Sequence, residues 1–497
     1  MKHQSNLAAP PTRLRQTVPL LTLGVLLLAV FALGGGSRDD IVSLIALRPL
    51  AVLCLGIGLV TLTREHCLAF RLPLGFLAAV FVLIGCHLVP LPPFVWTALP
   101  GRELAVAAGE AAGIGQPWRP LTLVPYRGWN AFYAMIVPAA VMVLAVQIPR
   151  EDHRRLVLLV IAAALLNAFW GILQSVSGYA GWTYWFAVSS RNTVTGLFAN
   201  RNHLAALEIA SLPLLVLLAS RARGARAGAL QVGCGALGAL ALMIALATGS
   251  RAGTALAVLV SALAWLVWRA RPQKHAKDRR GLAAKKWVPY AIGAFSLAMI
   301  VAFGVLLASS TGFERLAGTG SGPVEEYRFL VWRTILEFLP QYLPFGSGVG
   351  SFVEIFRIYE PDAMLGTSYW NHAHNDWLEW ALEGGIPAMA LMLAAILGWA
   401  ARSLALLRES RSGRFETQLA LAGAIILFAL GLWSGVDYPL RTPALAGLAA
   451  LCAVWMSLPS ATRAGSLAQQ SQGIAGDAAG SIGGQAHANA QKGTHST

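Results

Sequence analysis

The densest group of ionisable side chains lies at residues 369–379, which read Tyr-Trp-Asn-His-Ala-His-Asn-Asp-Trp-Leu-Glu. A neutral imidazole can take a proton from a hydroxyl group near neutral pH, so His374 is a candidate general base. Asn375 and Asp376 follow it directly and are candidate supporting residues. The alternative is a surface histidine in a polar loop.

His372, His374 and Asp376 also match the start of a zinc-ligand pattern. A bound zinc needs three or four ligands. The histidines that follow, His487 and His495, lie in a polar tail that we expect to be disordered. We therefore expect no metal site, and the sequence leaves His372 unexplained.

Three arginines form a second group of candidates: Arg201, Arg251 and Arg328. Guanidinium groups pair bidentately with phosphate oxygens, so several arginines converging at a membrane surface suit a pyrophosphate. Asn200 and His203 flank Arg201 and are candidate supporting residues. The alternative for interfacial arginines is snorkelling to lipid headgroups or capping of helix ends.

Gly346, Gly348 and Gly350 resemble a dinucleotide-binding fingerprint only in their glycine content. No clear buried strand of a βαβ unit precedes them, so a tight turn is the better interpretation. Walker A, kinase and Gly-x-Ser-x-Gly motifs do not occur in the sequence. We expect no cofactor.

The composition indicates which solvent surrounds these side chains. Of the 497 residues, 56% are hydrophobic and 12% are charged, with a mean hydropathy of +0.60. Soluble proteins carry about 25% charged residues, so a water-soluble enzyme is excluded. The net charge of +15 fits basic cytoplasmic loops beside anionic headgroups. Because no basic run interleaved with aromatic residues lies in a soluble segment, nucleic-acid binding is not expected.

Twelve windows are long and apolar enough to cross a bilayer, which predicts an all-α, polytopic integral membrane protein. The windows at 204–220 and 386–401 are short and could be tilted or broken. The twelve predicted spans are 18–36, 41–61, 73–96, 129–148, 155–177, 204–220, 227–248, 252–268, 287–308, 386–401, 417–435 and 442–458.

Charge counts on alternate sides of these spans predict the orientation. One side carries 25 Lys and Arg residues and the other 12, which places both termini in the cytoplasm. Residues 1–308 then hold the first nine spans, and 309–385 form one large periplasmic loop that carries the catalytic motifs. Residues 386–458 hold the last three spans, and 459–497 form a disordered cytoplasmic tail.

The motifs together resemble those of the O-antigen ligase and O-antigen polymerase superfamily of bacterial membrane glycosyltransferases, which implies a GT-C-like fold. Their order and spacing over residues 196–390 carry the resemblance. The matching segments are Gly-Leu-Phe-Ala-Asn-Arg-Asn-His at 196–203, the Ser250-Arg251 turn, Arg328-x-x-x-Trp332 followed by Gly346-x-Gly348-x-Gly350, and His374-Asn375-Asp376-x-Leu378 followed by Gly385.

The resemblance implies a metal-independent, inverting glycosyl transfer in the bacterial inner membrane. The donor would be a glycan on undecaprenyl pyrophosphate, and the acceptor a sugar hydroxyl of lipid A–core at the periplasmic face. Arg201, Arg251 and Arg328 would bind the diphosphate and stabilise its developing charge. His374 would orient or deprotonate the acceptor hydroxyl. The spans would accommodate the polyprenyl chain among membrane lipids.

Other functions share part of this pattern. The same motifs occur in a polymerase, whose acceptor is a lipid-linked repeat, and in a protein O-oligosaccharyltransferase. The overall likeness of this sequence favours the ligase. A lipid or small-anion transporter would place its ionisable residues near mid-membrane. Apart from Arg155 at the first position of its span, Arg48 is the only Arg or Lys inside a confident span, whereas His, Arg and Asp gather on the outer surface. A structural assembly protein gives no reason for that outward group.

Overall fold

The computed structural model describes residues 13–272, 323–366 and 369–458, and helices dominate these ranges. The predicted span at 287–308, the first part of the predicted periplasmic loop at 309–322 and the predicted disordered tail at 459–497 lie outside the described residues.

The first twelve helices carry most of the apolar sequence. A two-residue antiparallel pair, β1 (Pro90–Leu91) with β2 (Arg119–Pro120), lies between them. The helices are α1 (Arg13–Leu33), α2 (Leu44–Thr61), α3 (Arg64–Ala69), α4 (Arg71–Leu88), α5 (Pro93–Trp96), α6 (Glu103–Ala111), α7 (Pro125–Ala134), α8 (Ile136–Ala145), α9 (His153–Val176), α10 (Arg201–Arg221), α11 (Ala227–Ala247) and α12 (Arg251–Arg269).

Five further helices follow in the C-terminal part of the chain. They are α13 (Pro323–Phe338), α14 (Phe352–Tyr359), α15 (Asp376–Glu409), α16 (Phe415–Trp433) and α17 (Pro443–Ser457). Short 3-10 turns join several of them, including one at Pro439–Arg441 between α16 and α17.

The all-α polytopic class is confirmed. Within the described ranges, nine helical segments are long and apolar enough to cross a membrane, and Thr17–Leu33 and Pro443–Ser457 are shorter apolar helices. Each predicted span that falls in those ranges overlaps a helix, and the span at 129–148 covers parts of two, α7 and α8. The total number of spans depends also on 287–308.

Three predicted spans differ in their limits. The prediction of a span at 73–96 is wrong at its C-terminal end, because α4 ends at Leu88. The prolines at 90, 92 and 93 have no N–H group to donate a helical hydrogen bond, so the helix does not continue. The span at 204–220 is one unbroken helix despite an internal proline. The span at 386–401 is the middle of α15, which has 34 residues.

The core of the bundle surrounds α10. Helix α10 is buried along most of its length and packs against α9, α11, α12 and α16. A second hydrophobic cluster lies outside that bundle and joins α13, α14 and the first part of α15. The boundary between the two clusters positions the candidate site.

Glycines shape the chain where these two clusters meet. Gly346, Gly348 and Gly350 all have positive φ, and a Cβ on Gly348 would lie 2.1 Å from Cα of Thr122, so the predicted tight turn is confirmed. Gly385 (φ 60°, ψ −150°) kinks α15 where its N-terminal part leaves the second cluster.

Candidate active site

The loop before α15 presents His374. The helix begins at Asp376, and the Asn375 side chain caps it by accepting a hydrogen bond from the Leu378 amide at 3.0 Å. The helix therefore begins two residues after His374. His374 itself has a φ of 52°, which turns the chain immediately before the cap.

The imidazole of His374 is paired with a carboxylate from a distant part of the sequence. Its Nδ1 lies 3.1 Å from Oδ1 of Asp437, in the loop between α16 and α17. Asn202, in the first turn of α10, donates from Nδ2 to the other Asp437 oxygen at 2.5 Å. Asp437 is 1% exposed and His374 is 12% exposed at the side chain. The pair is therefore desolvated, with the imidazole at its more accessible end.

The electrostatics of this pair suit a general base. Burial raises the pKa of Asp437, but the hydrogen bond with His374 and the charges of His374, His203 and Arg328 outweigh it, so the pKa falls well below its ordinary value. Burial lowers the pKa of His374, and Asp437 opposes that shift. An ionised carboxylate only accepts hydrogen bonds, so Nδ1 must carry the proton. Nε2 is then the basic nitrogen.

Tyr438 packs between the two histidines of the sequence motif. Its ring centroid lies 4.5 Å from that of His372 and 4.7 Å from that of His374. His203, 1% exposed, makes an edge contact with the same ring at 5.3 Å. Neither ring nitrogen of His203 has a hydrogen-bond partner among the described residues. His203 thus lies directly beside the His374–Asp437 pair.

His372, unexplained by the sequence, belongs to a separate ionic network. Its Nδ1 lies 2.9 Å from Oε1 of Glu379, whose other oxygen accepts the Ala373 amide at 2.8 Å. Arg441 reaches Glu379 at 3.2 Å and Asp376 at 3.2 Å. The network ties the histidine loop and the start of α15 to the loop that carries Asp437.

Asp376 has a different place from the supporting role predicted beside His374. Ser434 donates from Oγ to Asp376 Oδ2 at 3.1 Å, and the Asp376 amide donates to the Ser434 carbonyl at 2.7 Å. With the Arg441 contact, both carboxylate oxygens of Asp376 are engaged in joining the two loops. The carboxylate of Asp376 therefore contacts Ser434 and Arg441, in the loop that also carries Asp437.

Arg328 is the predicted arginine with the clearest link to His374. It lies on α13, and its Nη1 donates to the Val436 carbonyl, the residue before Asp437, at 3.4 Å. Its charge acts on both His374 and Asp437. Its Nε is buried without a hydrogen-bond partner in the described part of the chain. The structure therefore brings Arg328 and His374 together.

Arg201 and Arg251 are the first residues of α10 and α12, whose N-terminal ends lie side by side. Asn200 caps α10 by accepting the Asn202 amide at 2.9 Å, and Ser250 caps α12 by accepting the Gly253 amide at 3.1 Å. These helix starts carry partial positive charge as well as the two arginines.

The contact between these helix ends depends on Gly253. A Cβ at Gly253 would lie 3.2 Å from Cβ of Ala205, so the two first turns approach closely. Since Asn202 on the same turn of α10 binds Asp437, this paired end adjoins the His374–Asp437 pair. Because helix N-termini attract anions, this paired end is a candidate anion-binding position.

Sequence reasoning missed Asp437, Tyr438 and Arg441. They lie in the run Gly-Val-Asp-Tyr-Pro-Leu-Arg at 435–441, between two predicted spans. An acid and an arginine at the end of a hairpin of apolar helices are costly to keep near a membrane, which is a signal for function. Nothing in the sequence indicates that Asp437 faces a histidine 63 residues earlier.

The two motif histidines do not face a common ligand position through Nδ1. His372 Nδ1 faces Glu379, and His374 Nδ1 faces Asp437. Within residues 13–272, 323–366 and 369–458, no three His, Cys, Asp or Glu side chains are grouped so as to hold a metal ion.

Fold and site together define a polytopic, all-α membrane protein with a histidine–carboxylate pair beside arginine-bearing helix ends. In a comparison with known protein families, a family model described as O-antigen ligase matches residues 236–393. The resemblance to the O-antigen ligase and polymerase superfamily is thereby confirmed, and it points to a glycosyltransferase-like activity. The match includes Arg251, Arg328 and His374. No curated protein matches the chain.

Proposed function

We propose that this protein is an O-antigen ligase-like glycosyltransferase that moves a glycan from undecaprenyl pyrophosphate to a sugar hydroxyl of lipid A–core. The single observation that carries the proposal is the buried His374–Asp437 pair, in which Asp437 engages Nδ1 and leaves Nε2 as the basic nitrogen. The family match supplies the reaction class. The site would face the periplasm of a bacterial inner membrane.

The proposed reaction is one displacement at the anomeric carbon. His374 Nε2 accepts the proton of the acceptor hydroxyl while that oxygen bonds to the anomeric carbon. The bond from this carbon to the diphosphate oxygen breaks, and its electron pair leaves with the diphosphate. A single displacement inverts the configuration. Asp437 holds the imidazole in the required tautomer and stabilises the imidazolium that forms.

Arg201, Arg251 and Arg328 are proposed to bind the diphosphate. The leaving group gains negative charge as the glycosidic bond breaks, and fixed cations at that position lower the barrier. The N-termini of α10 and α12 add the partial positive charge of their helix dipoles. Asn200 and His203 would support this surface, and Asn375 would hold the turn that presents His374.

The test is glycan transfer by purified full-length protein in proteoliposomes, with EDTA, lipid-linked oligosaccharide and lipid A–core. His374→Ala and Arg328→Ala are compared with Arg333→Ala, a matched control on the same helix whose side chain is 78% exposed in an ion pair with Glu337. We expect transfer to lipid A–core by the wild type and by Arg333→Ala only.

The other outcomes separate the alternatives. Lengthening of the lipid-linked glycan by the wild type would identify a polymerase with the same site, and transfer to a pilin-like protein would identify a protein O-oligosaccharyltransferase. Full activity of His374→Ala would contradict the proposed base. Activity that disappears with EDTA and returns with a divalent cation would contradict the metal-independent mechanism.

A further inference from the structure

The C-terminal end of α12 has two arginines that the proposed reaction does not use. The helix begins with Arg251 at the candidate site and ends with Arg269, which at 1.5 Å per residue lies about 27 Å away. Arg271 follows two residues later, and both Arg269 and Arg271 are exposed. Arginines and tryptophans at the end of a span lie at the depth of the lipid headgroups.

Each of these arginines stacks on a tryptophan of the same helix end. Cζ of Arg269 lies 5.2 Å from the ring centroid of Trp265, and Cζ of Arg271 lies 4.5 Å from that of Trp268. Spacings of four and three residues place each pair on one face of a helix. Stacking leaves the N–H groups at the edge of a guanidinium available to donate. The tryptophans therefore position both guanidinium groups without using their hydrogen-bond donors.

The two pairs line a groove with a volume of about 300 Å³. Its lining residues are Trp265, Trp268, Arg269 and Arg271, so half of them are cationic and, in the described ranges, none is acidic. Neither guanidinium group has a hydrogen bond or an ion pair with another described residue. The groove therefore presents positive charge that the described part of the chain does not neutralise.

Contacts with α16 and the turn before it hold this helix end in place. Gln418, near the start of α16, donates from Nε2 to the Val267 carbonyl at 2.8 Å. Gly413 packs against Pro272, since a Cβ at Gly413 would lie 2.8 Å from Cα of Pro272. These two contacts lie on either side of the segment that carries Trp268 and both arginines. The groove is therefore part of the packed bundle.

We propose that this groove binds the headgroup of one anionic membrane phospholipid of the phosphatidylglycerol class, with its phosphate oxygens on Arg269 and Arg271. Guanidinium groups pair bidentately with phosphate oxygens. The ammonium group of a zwitterionic phospholipid would meet positive charge here, and each tryptophan that could receive it already stacks with an arginine. Charge complementarity therefore selects an anionic headgroup. Trp265, which is 55% exposed, would contact the glycerol and the first part of the acyl chains.

The sequence that follows the groove carries charge of the same sign. Residues 273–286 contain six Lys or Arg residues and one acidic residue, Asp278. Basic clusters directly after a span attract anionic phospholipids, so this composition favours the same class of ligand. The inference does not depend on the proposed function, because the groove and the candidate site lie at opposite ends of α12.

The experiment measures binding of phosphatidylglycerol and of phosphatidylcholine, with the same acyl chains, to delipidated full-length protein by native mass spectrometry. The test variant is the double substitution Arg269→Gln/Arg271→Gln. The matched control is Arg408→Gln/Arg411→Gln, which removes the same charge from two exposed arginines at the end of α15 and in the turn after it. Trp265→Leu removes one stacking partner and keeps both charges.

We expect one phosphatidylglycerol to bind each chain more tightly than phosphatidylcholine does. Its affinity falls about thirtyfold in Arg269→Gln/Arg271→Gln, since each cation near the membrane surface contributes about fivefold. It falls by a smaller factor in Trp265→Leu and stays unchanged in the control. Elution as a single symmetrical species shows that a variant is folded. If the double variant is not folded, Arg269→Gln alone and Trp265→Leu provide the test.

Three results would overturn the inference. Equal affinity for the two phospholipids would show that the groove does not select an anionic headgroup. An equal loss of phosphatidylglycerol affinity in Arg269→Gln/Arg271→Gln and in Arg408→Gln/Arg411→Gln would mean that the whole basic end of the bundle attracts the lipid, with no site in the groove. Displacement of phosphatidylglycerol by an equal concentration of glycerol 3-phosphate would assign the groove to a soluble phosphate instead.

Discussion

At the scale of single residues, the proposed chemistry depends on which nitrogen of His374 carries a proton. Asp437 accepts from Nδ1 and, being ionised, cannot donate to it. Asn202 holds the second oxygen of that carboxylate, so its orientation is set from α10. The base is therefore defined by three side chains from three separate parts of the sequence.

The charge of Asp437 can be removed without changing its shape. We expect Asp437→Asn to lower kcat by about 10² to 10⁴, with a much smaller change in KM, because an amide can donate to Nδ1 and favours the wrong tautomer. The measurement is the initial rate of glycan transfer at saturating acceptor. Asp362→Asn, at an exposed aspartate after α14, should leave the rate unchanged. An unchanged kcat in Asp437→Asn would assign the pair a structural role.

The pKa of His374 predicts the pH dependence of the reaction. Burial lowers it from 6.5, so the imidazole is neutral and able to accept a proton at pH 7. As the pH falls through this lowered pKa, the protonated fraction grows and the rate declines. We expect an acid limb below pH 6.5 in the rate profile of the wild type.

The residual activity of Asp437→Asn provides the control for that profile. Asp437 raises the pKa of His374 against the effect of burial, so removing its charge should move the acid limb to still lower pH. A limb that moves to higher pH, or does not move, would mean that another group controls the profile.

At the scale of secondary-structure elements, α15 has two functions that its kink separates. The part before Gly385 holds Asn375 at its cap and carries Asp376 and Glu379, whereas the part after it is an apolar span. At the kink, the Ile386 amide donates to the Pro344 carbonyl at 2.8 Å. The kink thus holds the C-terminal end of the first part of α15 against the turn that contains the cis peptide at Leu343–Pro344.

Gly385→Ala tests this coupling. A Cβ there would lie 2.2 Å from the Pro344 carbonyl oxygen, and the backbone conformation is one that only glycine adopts readily. We expect a loss of about 3 kcal/mol in the free energy of unfolding, together with reduced transfer activity. The free energy of unfolding is measured on the detergent-solubilised protein.

Gly398 is the matched control on the same helix. A Cβ at Gly398 has no neighbour within 4 Å, so Gly398→Ala should be neutral or stabilise the helix by up to about 1 kcal/mol. If the two variants unfold alike, the special conformation at Gly385 contributes nothing measurable, and the proposed coupling through the kink is wrong.

At the scale of the whole molecule, the sequence predicts the helices better than the site. Apolar windows of about 20 residues are a local property, and each such window in the described ranges is helical over most of its length. The Asp437 contact is not local: it joins loops on either side of α15 and α16, and only the packed bundle brings them together. Arg441 was missed for the same reason, since this one arginine pairs with several carboxylates across two loops.

The orientation of the helix bundle in the membrane is predicted from the charged residues at its two ends. The end with the His374–Asp437 pair includes the loop between α16 and α17, and the opposite end includes Arg402, Arg411 and Arg414 around the start of α16. Positive charge favours the cytoplasmic side. The pair should therefore face the periplasm, where a lipid-linked glycan and its acceptor would meet.

Cysteine labelling tests this orientation on the intact protein. In a background without the five native cysteines, which are all free thiols, Asp362→Cys and Ser412→Cys place one exposed thiol at each end of the bundle. A membrane-impermeant maleimide should label Asp362→Cys in spheroplasts and Ser412→Cys only after the membrane is opened. The reverse pattern would place His374 in the cytoplasm and exclude a periplasmic transfer. Labelling of both variants in intact spheroplasts would show that the membrane is permeable, and the measurement is then repeated on a sealed preparation.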